Sequence, residues 1–389
     1  MTKSFEQLLY LFGASSLGKD VSFDEKLNIE EIRNFALQQG IWPTIYNKLY
    51  NLCDVSEYAN EVLSMTIKSI RQIEFTFNIL RAIEENGIEF CLLKGDSVAR
   101  FYNKPESRIS GDADILINPK DERKLSEILS QKGYKVSPRK QNDHHFKAHH
   151  PLGGLLEVHV RLYSYVTEKI IFDGLSINNE PYMEINNGKR KYKTLGINDG
   201  LMYLTAHYIK HLVNSGGGIR QMMDLLLYIE NYKREIDFDN YFNLLKKLKY
   251  EKLIRIVMSI GAKYFGFDYE ITDEELVDRI LTDTQEGGIF GHSAEKRDNF
   301  YNEYCKKREN SSRVYMFLKK ESGHNFFPTK QSLINDYGYK YARFTLLIPI
   351  AWIHRYIDVI LGTRKPEVVA KDTVEFKERT QLMQDLGMI

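Results

Sequence analysis

Two aspartates separated by one residue, Asp112 and Asp114, and a lone glutamate further on, Glu157, are the side chains whose type and spacing point to chemistry. On a strand, alternate side chains leave the same face, so Asp112 and Asp114 project together. Like charges so placed repel, and a cation relieves the repulsion. Mg2+ is the natural one, because it takes hard oxygen ligands and commonly completes its shell with substrate phosphates. Glu157 stands in Leu155-Leu156-Glu157-Val158-His159-Val160, a charge on an otherwise apolar strand that also asks for a partner. A second group, Lys94-Gly95-Asp96-Ser97, lies where an apolar run turns into a helical stretch. Glycine there lets the backbone approach a ligand, and a helix N-terminus offers free N–H groups to phosphate. Ser97 adds a hydroxyl and Lys94 a positive charge. Arg108, four residues before Asp112, has the forked guanidinium that grips phosphate.

Each part alone is weak. An Asp-x-Asp also suits a solvated loop, and a Lys-Gly turn is often only structural. Their order is informative, and the surrounding pattern supplies elements to hold them. Apolar steps of three to five residues from Val62 to Ile83 predict a helix ending at Asn86-Gly87. Ile88 to Leu93 reads as a buried strand, and Val98 to Tyr102 as a short helical stretch. Asp112 to Ile117 reads as a second strand, followed by an amphipathic helix over Lys120 to Lys132. A hairpin with arms near His144–His149 and Leu155–Leu162 turns through Pro151-Leu152-Gly153-Gly154. Asn187-Gly188 marks a second hairpin. Helical periodicity fills 1–86, and it returns after Asn198-Asp199 with a break at Ser215-Gly216-Gly217-Gly218. The plan is α+β: a small mixed core at 87–195, with helical regions at 1–86 and 196–389.

The chain has 389 residues, 43% of them hydrophobic and 28% charged, as in an ordinary globular protein of two or three domains. Lys and Arg number 54 against 53 Asp and Glu, a balance that argues against a protein built to coat nucleic acid. Cys53, Cys91 and Cys305 are too far apart for a disulfide framework or a CxxC metal knuckle, and a reducing cytoplasm is expected. The N-terminus has no apolar core of the signal-peptide kind. The most apolar stretch, Phe344 to Ile353, is too short to span a bilayer and reads as a buried helix interrupted or begun at Pro349. No membrane partner is expected.

The order strand, Gly-x-Ser turn, helix, Asp-x-Asp strand and later lone acid resembles the nucleotidyltransferase fold of DNA polymerase β and the aminoglycoside adenylyltransferases. The run Leu92-Leu93-Lys94-Gly95, Tyr102, Arg108, Gly111-Asp112-Ala113-Asp114-Ile115-Leu116-Ile117 and Leu156-Glu157-Val158-His159 is similar to an uncharacterised bacterial nucleotidyltransferase family within that superfamily. Its pattern is Lys-Gly, then Arg-x-x-x-Asp-x-Asp-Leu-Leu-Val, then Glu-Leu-His-Trp. Val160 stands where the family often has Trp. His207, His211, Arg220 and Asp224 match the family's helical positions, and Phe327-Pro328 and Leu347 to Arg355 resemble its C-terminal pattern.

The resemblance implies transfer of an NMP from an NTP to an acceptor, a small-molecule or protein hydroxyl rather than nucleic acid. Asp112 and Asp114 would hold two Mg2+ or Mn2+ ions roughly 3.5–4 Å apart, with Glu157 as third ligand or general base. The Gly95–Ser97 turn would hold the β- and γ-phosphates, and Lys94 and Arg108 would neutralise the leaving pyrophosphate. His159, His207, His211, Arg220 and Asp224 are possible contacts to acceptor or base. Two alternatives stay open: a nucleotide-binding module in which Asp96 spoils phosphate binding, and a tRNA-modifying toxin using Lys306-Lys307-Arg308 and Lys319-Lys320. His144, His145, His149 and His150 do not have the spacing of a usual zinc site and suit a solvated or substrate-facing hairpin. His207 and His211 read as a buried hydrogen-bonded pair, Arg220 and Asp224 as a helical ion pair, and Trp42 and Trp352 as core.

Overall fold

Five short strands carry the acidic residues in this computed structural model, which describes residues 1–139, 143–164, 180–187, 190–287, 340–351, 353–354 and 378–389. They are β1 (Phe90–Leu92), β2 (Ala113–Ile117), β3 (Lys135–Ser137), β4 (His145–His149) and β5 (Leu155–His159). Their order is β1-β2-β5-β4-β3. Only β2 and β5 are parallel; the other pairs are antiparallel. A ribbon of β6 (Met183–Asn187) and β7 (Arg190–Thr194) is pinned beside β1, where the Thr194 hydroxyl donates to Leu92 O at 2.9 Å. Residues 188–189, where the sequence expects the hairpin turn, lie outside the described residues.

Alternation gives the sheet two unlike faces. Phe90, Leu92, Ala113, Ile115, Ile117, Phe146, Ala148, Leu156 and Val158 form one, buried in a single apolar cluster. The cluster is closed by Ile79, Leu80 and Ile83 of a long helix (Ala59–Glu85) and by Leu125, Ile128 and Leu129 of another (Glu122–Gln131). Asp112, Asp114, Glu157, His159, His145 and Lys147 fall at the alternate positions and take the other face.

Among the described residues of 1–287 the α-helices, in chain order, are α1 (Lys3–Leu17), α2 (Ile29–Gln38), α3 (Trp42–Tyr50), α4 (Ala59–Glu85), α5 (Asp96–Ala99), α6 (Glu122–Gln131), α7 (Ile197–Ser215), α8 (Ile219–Asn231), α9 (Phe238–Lys247), α10 (Glu251–Ile260) and α11 (Glu274–Gly287). All belong to one compact unit, residues 1–293 with 385–388; residues 294–384 form a second. Trp42 is core, edge-on to Tyr46 and Tyr58. Trp352, Cys305, Phe327-Pro328 and the two basic runs lie outside the described residues. No described helix is long and apolar enough to cross a membrane.

The apolar stretch at 344–353 departs from expectation. Phe344, Ile350 and Ile353 are exposed, and only Ala351 among its described side chains is buried. A run apolar on all sides has no polar face to turn outward, so a helix through it that is not wrapped all round leaves apolar side chains in solvent.

One side chain fixes where β5 begins. Gln72 of α4 donates through Nε2 to Leu155 O at 2.8 Å and accepts from Leu155 N at 2.7 Å. This amide closes the strand end as a ladder neighbour would. Gln72→Ala leaves both Leu155 groups unpaired, and we expect it to lower the unfolding free energy by about 2 kcal/mol in urea titration.

Candidate active site

The site starts from strand register. Asp114 on β2 is directly paired with Glu157 on β5, and Glu157 with Lys147 on β4. His159, two residues along β5, points to the same side, and its Nε2 reaches Asp114 Oδ1 at 3.1 Å. Asp114 is only 2% exposed. A carboxylate buried so deeply requires charge or hydrogen-bond compensation. Lys94 supplies it, with Nζ 3.1 Å from Asp114 Oδ2 and 3.9 Å from Asp112 Oδ2. Burial alone would raise the Asp114 pKa, but the Lys94 ammonium and the His159 hydrogen bond outweigh it and hold the group below the ordinary carboxylate range. Asp112 moves the other way: burial raises it, and Lys94 only partly counters the effect.

Lys94 reaches the carboxylates because the chain turns sharply behind β1. Gly95 has φ +83° and ψ −114°, a conformation that a side chain would strain. Helix α5 follows at once with Ser97 buried. Asp96 points to the β6–β7 ribbon, where Arg190 Nη1 donates to its Oδ1 at 2.9 Å. Ser110 Oγ donates to Asp112 O at 2.7 Å and fixes the start of the acidic strand.

Arg108 is held by a buried acidic partner. Its Nε and Nη2 donate to both Asp224 oxygens at 2.8 and 2.5 Å, and Tyr102 donates to Asp224 Oδ1 at 2.7 Å. Burial disfavours the guanidinium charge, yet this two-point partner holds its pKa above the ordinary value. Arg108 thus makes a buried ion pair that fastens α8 to the loop before β2. The expected Arg220–Asp224 helical pair is displaced by the same contact. Arg220 instead donates through Nη1 to Ile109 O at 3.0 Å, and its Nε is buried without a hydrogen-bond partner among the described residues.

Helix α7 supplies the opposite wall. Tyr203, His207, Lys210 and His211 fall at helical spacing on one side of it. His207 and His211 stack edge to face with centroids 4.5 Å apart. The phenol of Tyr203 is raised by burial and then by the carboxylates of Asp114, Glu157 and Asp112. Lys210 is lowered by burial and then by the charge of Lys94. His207 is held far below its ordinary value, first by burial and then by Lys94, and is neutral. Lys210 was missed in the sequence, although its place one turn from His207 on a polar stripe of an otherwise apolar helix was a readable signal.

Within one sheet face and its wall, then, are Asp112, Asp114, Glu157, Lys94 and His159, with His207, His211 and Arg220 close enough to alter their charges. Oxygen and nitrogen donors of Asp114, Glu157 and His159 lie within 4.8 Å of one another, a grouping able to hold a metal ion.

An acidic cluster thus lies on one face of a small mixed sheet in an α+β fold, behind a Gly turn and beside helices that carry positive charge. The chain belongs to the family described as "Uncharacterised nucleotidyltransferase", whose model matches residues 25–266. Among solved structures, a lincosamide antibiotic adenylyltransferase with lincomycin bound is 20% identical at a TM-score of 0.28, over 39% of this chain and 93% of its own. An antigenic nucleotidyltransferase-like protein from Paracoccidioides brasiliensis is 15% identical at 0.30, over 46% of this chain and 89% of its own. A search of curated proteins finds no match.

Two outcomes follow from the buried charges. Arg108→Met leaves Asp224 buried and unpaired and should cost about 3–5 kcal/mol of stability in urea titration; adding Asp224→Leu should restore part of the loss. His211 is held at about 3, by burial first and then by Lys94, against about 6.5 for an unfolded histidine. Between those values the unfolded chain binds more protons, so stability is present above pH 6.5 and drains away as pH falls. His211→Gln should show a shallower loss of stability between pH 6.5 and 4.

Proposed function

We propose that this protein transfers a nucleoside monophosphate from an NTP to an acceptor hydroxyl and releases pyrophosphate, with Mg2+ or Mn2+ bound at Asp112, Asp114 and Glu157. The observation that carries this reading is the register of Asp114 with Glu157, with Asp112 beside them and an ammonium already drawn between the two aspartates. That Lys94 is held there supports a site built to bind a cation, and three hard carboxylates suit Mg2+. The ion would neutralise phosphate charge and lower the pKa of the acceptor hydroxyl.

The protein's own groups divide the rest of the work. The acceptor hydroxyl gives its proton to solvent as its oxygen attacks the α-phosphorus and the bond to pyrophosphate breaks, and Lys94 stands beside the carboxylates to meet the charge that leaves. The Gly95–Ser97 turn offers backbone N–H groups and the Ser97 hydroxyl to the triphosphate. Lys210 and Arg220 add positive charge from α7 and α8. For Glu157, burial raises the pKa but the hydrogen bond from Lys147 at 2.7 Å outweighs it, so the group lies below the usual range. That favours a cation ligand over a general base, which works best with a pKa near the working pH. His159 acts as a positioning residue, holding Asp114 through Nε2. The acceptor is a small-molecule or protein hydroxyl.

The reading as a mere nucleotide-binding module required Asp96 to repel phosphate. Asp96 is paired through Oδ1 with Arg190, which counts against that reading. The decisive experiment measures pyrophosphate release from each of the four NTPs, with Mg2+ or Mn2+ and a cell extract as acceptor pool. Wild type should release pyrophosphate and label an acceptor. Asp112→Asn and Asp114→Asn should each lose at least about 10²-fold. Tight NTP binding without release in every condition would replace the enzyme with the binding module.

A further inference from the structure

Beside the carboxylates, three imidazoles converge. His144 precedes β4, His145 opens it, and His159 closes β5 as the direct cross-strand partner of His145. One ring nitrogen from each lies within 4.8 Å of the others. The rings pack closely: the His145 ring stacks on that of His159 with centroids 5.3 Å apart, and His144 meets His159 edge-on at 5.2 Å. His149 and His150, their neighbours in the sequence, go elsewhere. His149 is exposed, and His150 packs on Phe75 and Tyr134.

The spacing has a chemical meaning. His144 Nε2 and His145 Nδ1 are 3.3 Å apart. Two nitrogens on one tetrahedral ion, with bonds of about 2.0–2.1 Å, stand about 3.3–3.4 Å apart. His159 adds an independent observation. Asp114, paired with Lys94, can only accept a hydrogen bond, so His159 Nε2 carries the proton between them. In the neutral ring that metal binding requires, the lone pair is on Nδ1. That atom is buried, in a residue only 5% exposed, and has no hydrogen-bond partner among the described residues. An imidazole whose far N–H is held by a carboxylate, with the other nitrogen unspent, is arranged as metal-ligating histidines are.

We propose that His144, His145 and His159 form a site for a divalent transition-metal ion, Zn2+ foremost, separate from the Asp112–Asp114 pair and joined to it by the His159–Asp114 hydrogen bond. Imidazole donors suit Zn2+ and its neighbours and are poor ligands for Mg2+. Three protein ligands leave the fourth position to water or another small ligand, the pattern of an open zinc site. The proposal goes beyond nucleotidyl transfer and does not depend on it.

The test uses the full chain, stripped with a chelator and titrated with Co2+ as a spectroscopic probe and with Zn2+ by calorimetry. With excess Mg2+ present to fill the carboxylate site, one Co2+ per chain should bind with the intense visible bands of a four-coordinate ion, and Zn2+ should displace it while more Mg2+ does not. His144→Ala and His145→Gln should each weaken Zn2+ binding at least about 10-fold, the lower end of what loss of a ligand-orienting partner does elsewhere. Asp112→Asn and His149→Ala should leave it within about threefold. Circular dichroism of the metal-free variants checks folding. Should His144→Ala not fold, His145→Gln gives the same readout at a partly exposed ring. Binding lost in Asp112→Asn but kept in His145→Gln, or a six-coordinate spectrum, would overturn the site. Pyrophosphate release measured on the same preparations fails or succeeds independently, so loss of the transfer reading leaves the Co2+ bands standing.

Discussion

A single buried carboxylate sets the terms for this structure. Asp114 sits in the middle of a sheet, between two other strands' worth of backbone, almost out of reach of water. An isolated charge in such a place is too unfavourable to persist, so the fold has to deliver partners to it. One comes from the turn after β1, which aims Lys94 inward. The other comes from β5, whose parallel register with β2 puts His159 within hydrogen-bond reach. The opposite face of the same strands is packed by α4 and α6, which holds the register in place. A slip of β5 by one residue would send Glu157 and His159 into that apolar cluster and Val158 into the site.

The helices after the sheet answer the same charge problem from the other side. Lys210 and Arg220 bring positive charge to the acidic face, and burial keeps His207 and His211 neutral. What fastens this wall is not in the acidic cluster at all. The Arg108–Asp224 pair, capped by the Tyr102 hydroxyl, ties α8 to the chain just before β2. A residue in the acidic strand's approach loop therefore governs where the cationic helix stands. Loss of such a pair would displace the wall as well as destabilise the fold.

Much of this was legible in the sequence, for identifiable reasons. The strand-turn-helix at Lys94-Gly95 and the acidic strand were readable because period-2 burial and a glycine with positive φ leave local marks. The hairpin of β4 and β5 was readable from its Gly-Gly turn. Long-range pairing left no mark of that kind. Arg108 and Asp224 are 116 residues apart, and Arg220 at i−4 from Asp224 offered a local partner that the fold declined. The histidines show the same limit. His144 and His145 sit in a run with His149 and His150, but strand pairing selects His159 as their neighbour and sends the other two away. Local spacing states what a residue type can do; register decides with whom.

The two aspartates of the pair are not equivalent, and the difference bears on how such a site accepts a cation. Asp114 is locked from two sides and held in its ionised form. Asp112 has a third of its side chain exposed, lies 3.9 Å from Lys94, and is pushed upward by burial and by its acidic neighbours. A cation approaching from solvent would meet Asp112 first, where the resident ammonium competes least. Its binding there would relieve the very repulsion that raises the Asp112 pKa. The inner carboxylate could then stay where the sheet and His159 fix it, so the buried member would set the geometry of the site and the exposed one would take up exchange.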